Sequence, residues 1–107
     1  MPHLDVKVAG TSFRDTNKTY LTKLAQMKHG RYPKAKLVRQ PDNEHDTNAI
    51  KVIVGRNNFV GFVPRENAAR VAELMDAGVT ITAEVLSCEI WAEHPTNPSL
   101  KIRIHRP

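Results

Sequence analysis

The sequence predicts a mainly β domain, a small antiparallel β-barrel of about six strands with two short α-helices covering its gaps or ends. Three observations predict it. Six segments read as strands, the first and the last two of them alternating apolar with polar residues, only two carry the spacing of an amphipathic helix, and short runs rich in Gly, Asn, Asp or Pro separate most of them. Strands joined mainly by short turns pair as antiparallel neighbours and must curl to bury one face.

Leu4-Asp5-Val6-Lys7-Val8-Ala9 is the first strand, and Gly10 punctuates it. A helix follows from Asp15 or Thr16, whose oxygens can accept the orphan N–H groups of a first turn, to about Lys28. Leu21, Leu24 and Ala25 give it a narrow apolar stripe, and Gly30 and Pro33 end it. Ala35–Gln40 reads as the second strand. Ala49–Val54 and Phe59–Val63 are the third and fourth, joined through Gly55-Arg56-Asn57-Asn58 as a hairpin. Pro64 presets φ for a second helix over Arg65–Ala77, with Ala68, Val71, Ala72 and Met75 on one face, a Glu66–Arg70 pair one turn apart, and Gly78 as its stop. Val79, Ile81, Ala83 and Val85 share one face of the fifth strand, and Pro95–Pro98 reads as a loop. In the last strand Leu100, Ile102 and Ile104 alternate with Lys101, Arg103 and His105, which sets a basic row on its exposed face.

A chain of 107 residues supports one domain, residues 1–107, with an ordinary core. Hydrophobic content of 40% with 25% charged residues separates it from disordered chains. No apolar run approaches the ~20 residues of a membrane span, so no membrane partner is expected, and Met1-Pro2-His3-Leu4-Asp5 lacks the regions of a secretory signal. The single cysteine, Cys88, cannot close an internal disulfide, which fits a reducing, cytoplasmic compartment. The net charge of +5 is unevenly spread. Residues 16–41 hold seven bases and no acid, residues 42–93 nine acids against four bases, and residues 94–107 three bases. Side by side, the two basic stretches would face a polyanion; apart, they are a solvated surface that keeps the chain in solution.

The densest segment runs from Arg39 to Val52, where polar and turn-forming residues precede an abrupt strand. Asn and Asp can close such a loop by bonding their own backbone, and once fixed it displays amides, an imidazole and a carboxylate together. With the patches Val8-Ala9-Gly10-Thr11-Ser12-Phe13 and Val60-Gly61-Phe62-Val63-Pro64-Arg65-Glu66, the Asn43-x-x-Asp46-x-Asn48-Ala49-Ile50-Lys51-Val52 pattern resembles the HIRAN domain family, in order and spacing over nearly the whole chain. That resemblance implies an OB-like β-barrel that binds single-stranded DNA and captures a free 3′ end, in the setting of DNA repair and replication. Carried over by position, Phe13 stacks on a terminal base, Asn43, His45 and Asp46 form the pocket loop with Asp46 accepting from the 3′-hydroxyl, and Arg65 lies near the phosphates. The chain departs from the family at His45, where a Tyr is usual, at Ser12, where fork-remodelling members have an Arg, and at Phe62, which replaces a polar residue.

The residues by themselves leave alternatives. Phe13 can be a core aromatic near a strand end, and Asp46 can brace Thr47 or Asn48 through an Asx-turn. A carboxylate is repelled by a phosphodiester, so as a ligand group Asp46 suits only a donor such as a hydroxyl, a base amine or an N–H. Lys34, Lys36 and Arg39 are candidate contacts to a nucleic-acid backbone. Trp91 can anchor the barrel rim or stack on a base. The histidines and Cys88 show no metal spacing, no phosphate-cradling glycine motif is present and no catalytic constellation appears, so neither an enzyme nor a cofactor or metal is expected. Two function classes follow: a nonenzymatic module for single-stranded DNA ends, acting alone or with repair or replication proteins, and a regulatory domain whose barrel edge binds an acidic protein partner.

Overall fold

A computed structural model describes residues 3–10, 15–28, 30–91 and 94–106, with the backbone alone at 15–18, 91 and 94–97. The chain runs β1 (His3–Lys7), α1 (Asp15–Ala25), β2 (Lys34–Arg39), β3 (Ile50–Val54), β4 (Asn58–Phe62), α2 (Arg65–Asp76), β5 (Thr82–Trp91) and β6 (His94–His105). The six strands form one sheet in the order β1-β6-β5-β2-β3-β4, with every neighbouring pair antiparallel. The mainly β class, the strand count and the two helices thus stand as the sequence predicts.

The sheet curls until its two edge strands meet at one end. Ala9, just past β1, pairs with Phe62 of β4 through Ala9 N–H to Phe62 O and Phe62 N–H to Ala9 O, each 2.8 Å. Gly61 makes that approach possible, because its Cα faces the passing Val8–Ala9 backbone and leaves no room for a Cβ. Inside the curl, Ile50, Val52 and Val54 of β3, Val60 of β4, and Leu100 and Ile102 of β6 are fully buried. Leu21 and Leu24 of α1 and Ala68, Val71 and Ala72 of α2 join the same core, so the two helices supply the cover that a curled sheet this small lacks.

Four local expectations differ from what is observed. α1 stops at Ala25, and its end is drawn in by the tighter bonds Gln26 N–H to Lys23 O and Met27 N–H to Leu24 O. Arg70 pairs with Glu73 at 3.6 Å rather than with Glu66. β5 begins at Thr82, because Gly78 (φ 86°) and Val79 are used to close α2 through N–H bonds to the Met75 and Leu74 carbonyls. Pro95–Pro98 belongs to β6 rather than to a loop. The ladder is irregular there, with Trp91 opposite His94 and Glu89 opposite Ser99, so the prolines fall where regular pairing is interrupted and a missing N–H costs little.

Candidate functional site

The loop between β2 and β3 is tied down almost residue by residue. Gln40 N–H to Ala49 O (2.9 Å) closes its mouth, and Ala49 N–H donates to Asp46 O at 3.0 Å. Asn43 organises the middle: its Oδ1 accepts from the His45 and Asp46 N–H groups at 2.8 and 3.1 Å, while its Nδ2 donates to Gln40 Oε1 at 3.1 Å. Asp46 Oδ1 accepts from Asn48 N–H at 2.9 Å, which is the Asx-turn brace. From the first turn of α2, Arg65 donates to the His45 carbonyl at 3.0 Å and holds its Nε 3.6 Å from Asp46 Oδ2. The Asp46 side chain keeps 21% of its exposure, with Oδ1 bonded to the backbone and Oδ2 beside the Arg65 guanidinium.

Asp46 is one of the residues lining a groove of about 450 Å³. Asn43, His45, Asp46 and Arg65 form its polar rim; Ala9, Ala49, Phe59, Phe62 and Val63 supply much of its apolar lining. Phe59 and Phe62 meet edge to face, with ring centroids 5.2 Å apart. The groove therefore pairs an apolar, aromatic surface with an anion and a cation placed to hold a polar tip, the make-up of a small-ligand or end-binding site. Of the residues singled out from the sequence, Asn43, His45, Asp46 and Arg65 come together here, while Phe13 and Ser12 lie outside the described residues. The side chain of Trp91 is likewise outside them.

Three others are placed elsewhere. Lys34 and Lys36 stand exposed on the outer face of β2, away from the groove rim. Arg39, expected as a backbone contact, points to the inner side, where its guanidinium donates to Asp76 Oδ1 and Oδ2 at 3.0 and 3.2 Å and to the Ala49 carbonyl at 2.9 Å. It ties α2 and the loop to the sheet, and its hydrogen bond holds the Asp76 carboxyl below the usual range. Among the described residues, no group of His, Cys, Asp and Glu is arranged to hold a metal ion.

Sequence reasoning missed Phe59 as part of the site. Phe59 and Phe62 are three apart, an odd spacing that a regular strand would split between its faces. An irregularity opposite Val52 and Ile53 adds one residue to β4, so Phe62 pairs with Lys51, Phe59 pairs with Ile53, and both rings leave by the same face. Gly61 was the available signal, since a glycine within a strand marks a bulge or a close backbone approach.

A curled antiparallel sheet with a braced polar loop over an aromatic groove defines a small β-barrel-type binding module. The family model of the HIRAN domain matches residues 1–105, and the chain belongs to that family. Among solved structures, the crystal structure of the HIRAN domain of human HLTF is similar with a TM-score of 0.69 and 23% identity, over 97% of this chain and 74% of that one. A crystal structure of a protein from Lactobacillus plantarum gives 0.65 and 22%, over 96% and 98%. The NMR structure of the HLTF HIRAN domain in its DNA-bound conformation gives 0.61 and 21%, over 99% and 75%. At these identities the likeness is one of fold, and it bears out the OB-like architecture. No match was found among the curated proteins.

Proposed function

We propose that this chain is a nonenzymatic DNA-binding module that holds the 3′ end of single-stranded DNA in the groove, alone or as an adaptor for repair or replication proteins. Membership of the HIRAN family and a fold shared with a HIRAN domain in its DNA-bound conformation support DNA as the ligand. One observation carries the end preference: the Asp46 carboxylate lines a groove whose other walls are largely apolar. A phosphodiester repels that carboxylate, whereas a terminal hydroxyl donates to it. In this reading the last base lies against Phe59 and Phe62, Phe13 keeps the stacking role that the family resemblance implies, and Arg65 balances the charge of the final phosphate. The imidazole of His45 supplies a further flat surface at the rim.

Leaving a shielded acceptor without its donor costs roughly 1–3 kcal/mol, and the partial exposure of Asp46 places this site at the lower end. Fluorescence anisotropy is then expected to show about tenfold tighter binding of a strand with a 3′-hydroxyl than of the same strand with a 3′-phosphate. Asp46→Asn keeps an oxygen for the Asn48 N–H, so the loop stays closed while the preference shrinks. Equal affinity for the two ends in the unaltered protein would remove the 3′-end reading. No binding to any single strand at low salt would hand the chain to the protein-partner class.

A further inference from the structure

The outer face of the sheet continues from the groove. Across β4, β3 and β2 the ladder sets Phe62, Lys51 and Val38 in one row and Phe59, Ile53 and Lys36 in the next. Lys34 follows two residues further along β2, opposite Glu84 of β5. Residues opposed across antiparallel strands share a face, so these side chains leave the sheet together, away from the core. Val38 is 38% exposed, a large apolar residue standing in solvent between lysines. Phe59 belongs to both regions: it lines the groove, and the Lys51 ammonium lies 5.4 Å from its ring centre.

On β1, β5 and β6, Arg103 and His105 are answered by acids, while the facing Lys7 and Lys101 have no acidic partner among the described residues. Arg103 donates to Asp5 at 2.7 and 3.0 Å and thereby holds that carboxyl below its usual range, and His105 lies 2.6 Å from Glu84. Of the basic row expected on the last strand, Arg103 and His105 thus have acidic partners and Lys101 has none among the described residues. On β2 and β3, Lys36 has no acidic partner among the described residues, Lys34 stands across the ladder from Glu84 without an ion pair to it, and Lys51 rests on an aromatic ring. β5 also separates β2 from β6, so the two basic stretches of the sequence do not merge. Unpaired lysines thus stand on both halves of the face, and those of β2 and β3 share theirs with Phe59, which lines the groove.

We infer that single-stranded DNA whose end fills the groove continues over the outer face of β3 and β2, with Lys51, Lys36 and Lys34 meeting successive phosphates and Phe59, Ile53 and Val38 lying under the bases. The inference rests on the groove being the DNA site. Lys36 and Lys34 are ~6.6 Å apart along β2, and Lys51 and Lys36 are diagonal neighbours at ~7–8 Å. Steps of that length suit consecutive phosphates on an extended strand, and an apolar, partly aromatic bed takes any base by its flat face.

The test is anisotropy with the full chain and oligo(dT) strands of about three and about ten nucleotides, below and within the range an OB-type surface engages. Lys34→Gln combined with Lys36→Gln is the perturbation. Lys7→Gln combined with Lys101→Gln removes the same charge from a facing pair on β1 and β6, and serves as the control. All four lysines are exposed, so both proteins fold. In the unaltered protein the longer strand binds tighter, and the β2 variant loses most of that gain while the control keeps it. With ~0.7 counterions released per phosphate, losing two contacts means that raising salt from about 50 to about 200 mM weakens the unaltered protein about sevenfold more than the β2 variant. An unchanged length dependence in the β2 variant, or an equal loss in the control, overturns the inference. The two ends of the argument fail separately: equal binding of 3′-hydroxyl and 3′-phosphate strands, with the lysine effect intact, removes the end pocket and leaves the face.

Discussion

Gly61→Ala probes the contact that closes the curl and forms one wall of the groove. The new Cβ falls inside the contact distance of the Ala9 carbonyl oxygen and 2.7 Å from Val8 Cγ1, and Gly61 sits at φ 153°, which side-chain-bearing residues rarely adopt. An ordinary carbon–oxygen contact is ~3.3 Å or more, so the Val8–Gly10 segment must retreat by ~1 Å. That stretches both 2.8 Å bonds between Ala9 and Phe62 beyond useful length. Two backbone bonds at about 1 kcal/mol each, with overpacking of about 1–3 kcal/mol, make a loss of about 3–5 kcal/mol. Against the 5–15 kcal/mol typical of a whole domain, this is a large fraction. Urea unfolding followed by circular dichroism should show a clear fall in midpoint with little change in slope. DNA binding should weaken even where the variant is fully folded, because Ala9 and Gly10 line the groove. A midpoint equal to that of the unaltered protein would refute the closure argument.

Arg39→Met should lower the urea midpoint, because the Ala49 carbonyl loses one of its two donors and the Asp76 carboxylate loses its guanidinium, yet leave the salt dependence of DNA binding as it is. A reduced salt slope would return Arg39 to the DNA contacts. Asn43→Ala strips the acceptor from the His45 and Asp46 N–H groups at a cost of about 1–2 kcal/mol, so hydrogen exchange there should quicken by about tenfold while the core strands change little. Uniform quickening would mean that the loop is not a separate unit. Cys88 is buried, and its thiol is pushed up to about 11. It should react slowly with a thiol reagent near pH 8 in the native protein and rapidly in urea. The linkage has a definite sign. Above pH 9 the unfolded chain has released this proton while the folded chain still holds it, so stability falls as pH rises from about 9 to about 11. Cys88→Ala should lose that component of the alkaline decline, and an identical decline in both proteins would contradict it.

What the sequence discloses and what it conceals follow from different physics. Alternation at period two is enforced by burial of one sheet face, so Leu100, Ile102 and Ile104, or Ile50, Val52 and Val54, announce their strands unambiguously. The loop was legible for a related reason, since Asn43 and Asp46 are residue types that bond their own backbone, and both do so. Long-range partners leave no such trace. Nothing local in Arg39 says that its guanidinium crosses to Asp76, or that Arg103 and His105 meet Asp5 and Glu84 instead of solvent. The pairing of Phe59 with Phe62 was hidden by the irregularity in β4, which breaks the parity on which every assignment of strand faces depends.

The backbone brace seen at Asp46 is compatible with the proposed role as a DNA ligand. A free aspartate at a loop tip would sample several rotamers, and capturing a hydroxyl would require freezing them at a cost in side-chain entropy. Here the Asn48 N–H holds Oδ1 and Arg65 stands beside Oδ2, so the orientation is fixed before any ligand arrives. Asn43 in turn fixes the backbone on which Asp46 sits. In the proposed role, binding would draw on an arranged site and lose little to ordering, which is the general advantage of preorganisation. The same chain of bonds accounts for the concentration of Asn and Asp in one short segment. Part of that polarity spans the loop, and the carboxylate it positions remains at the groove.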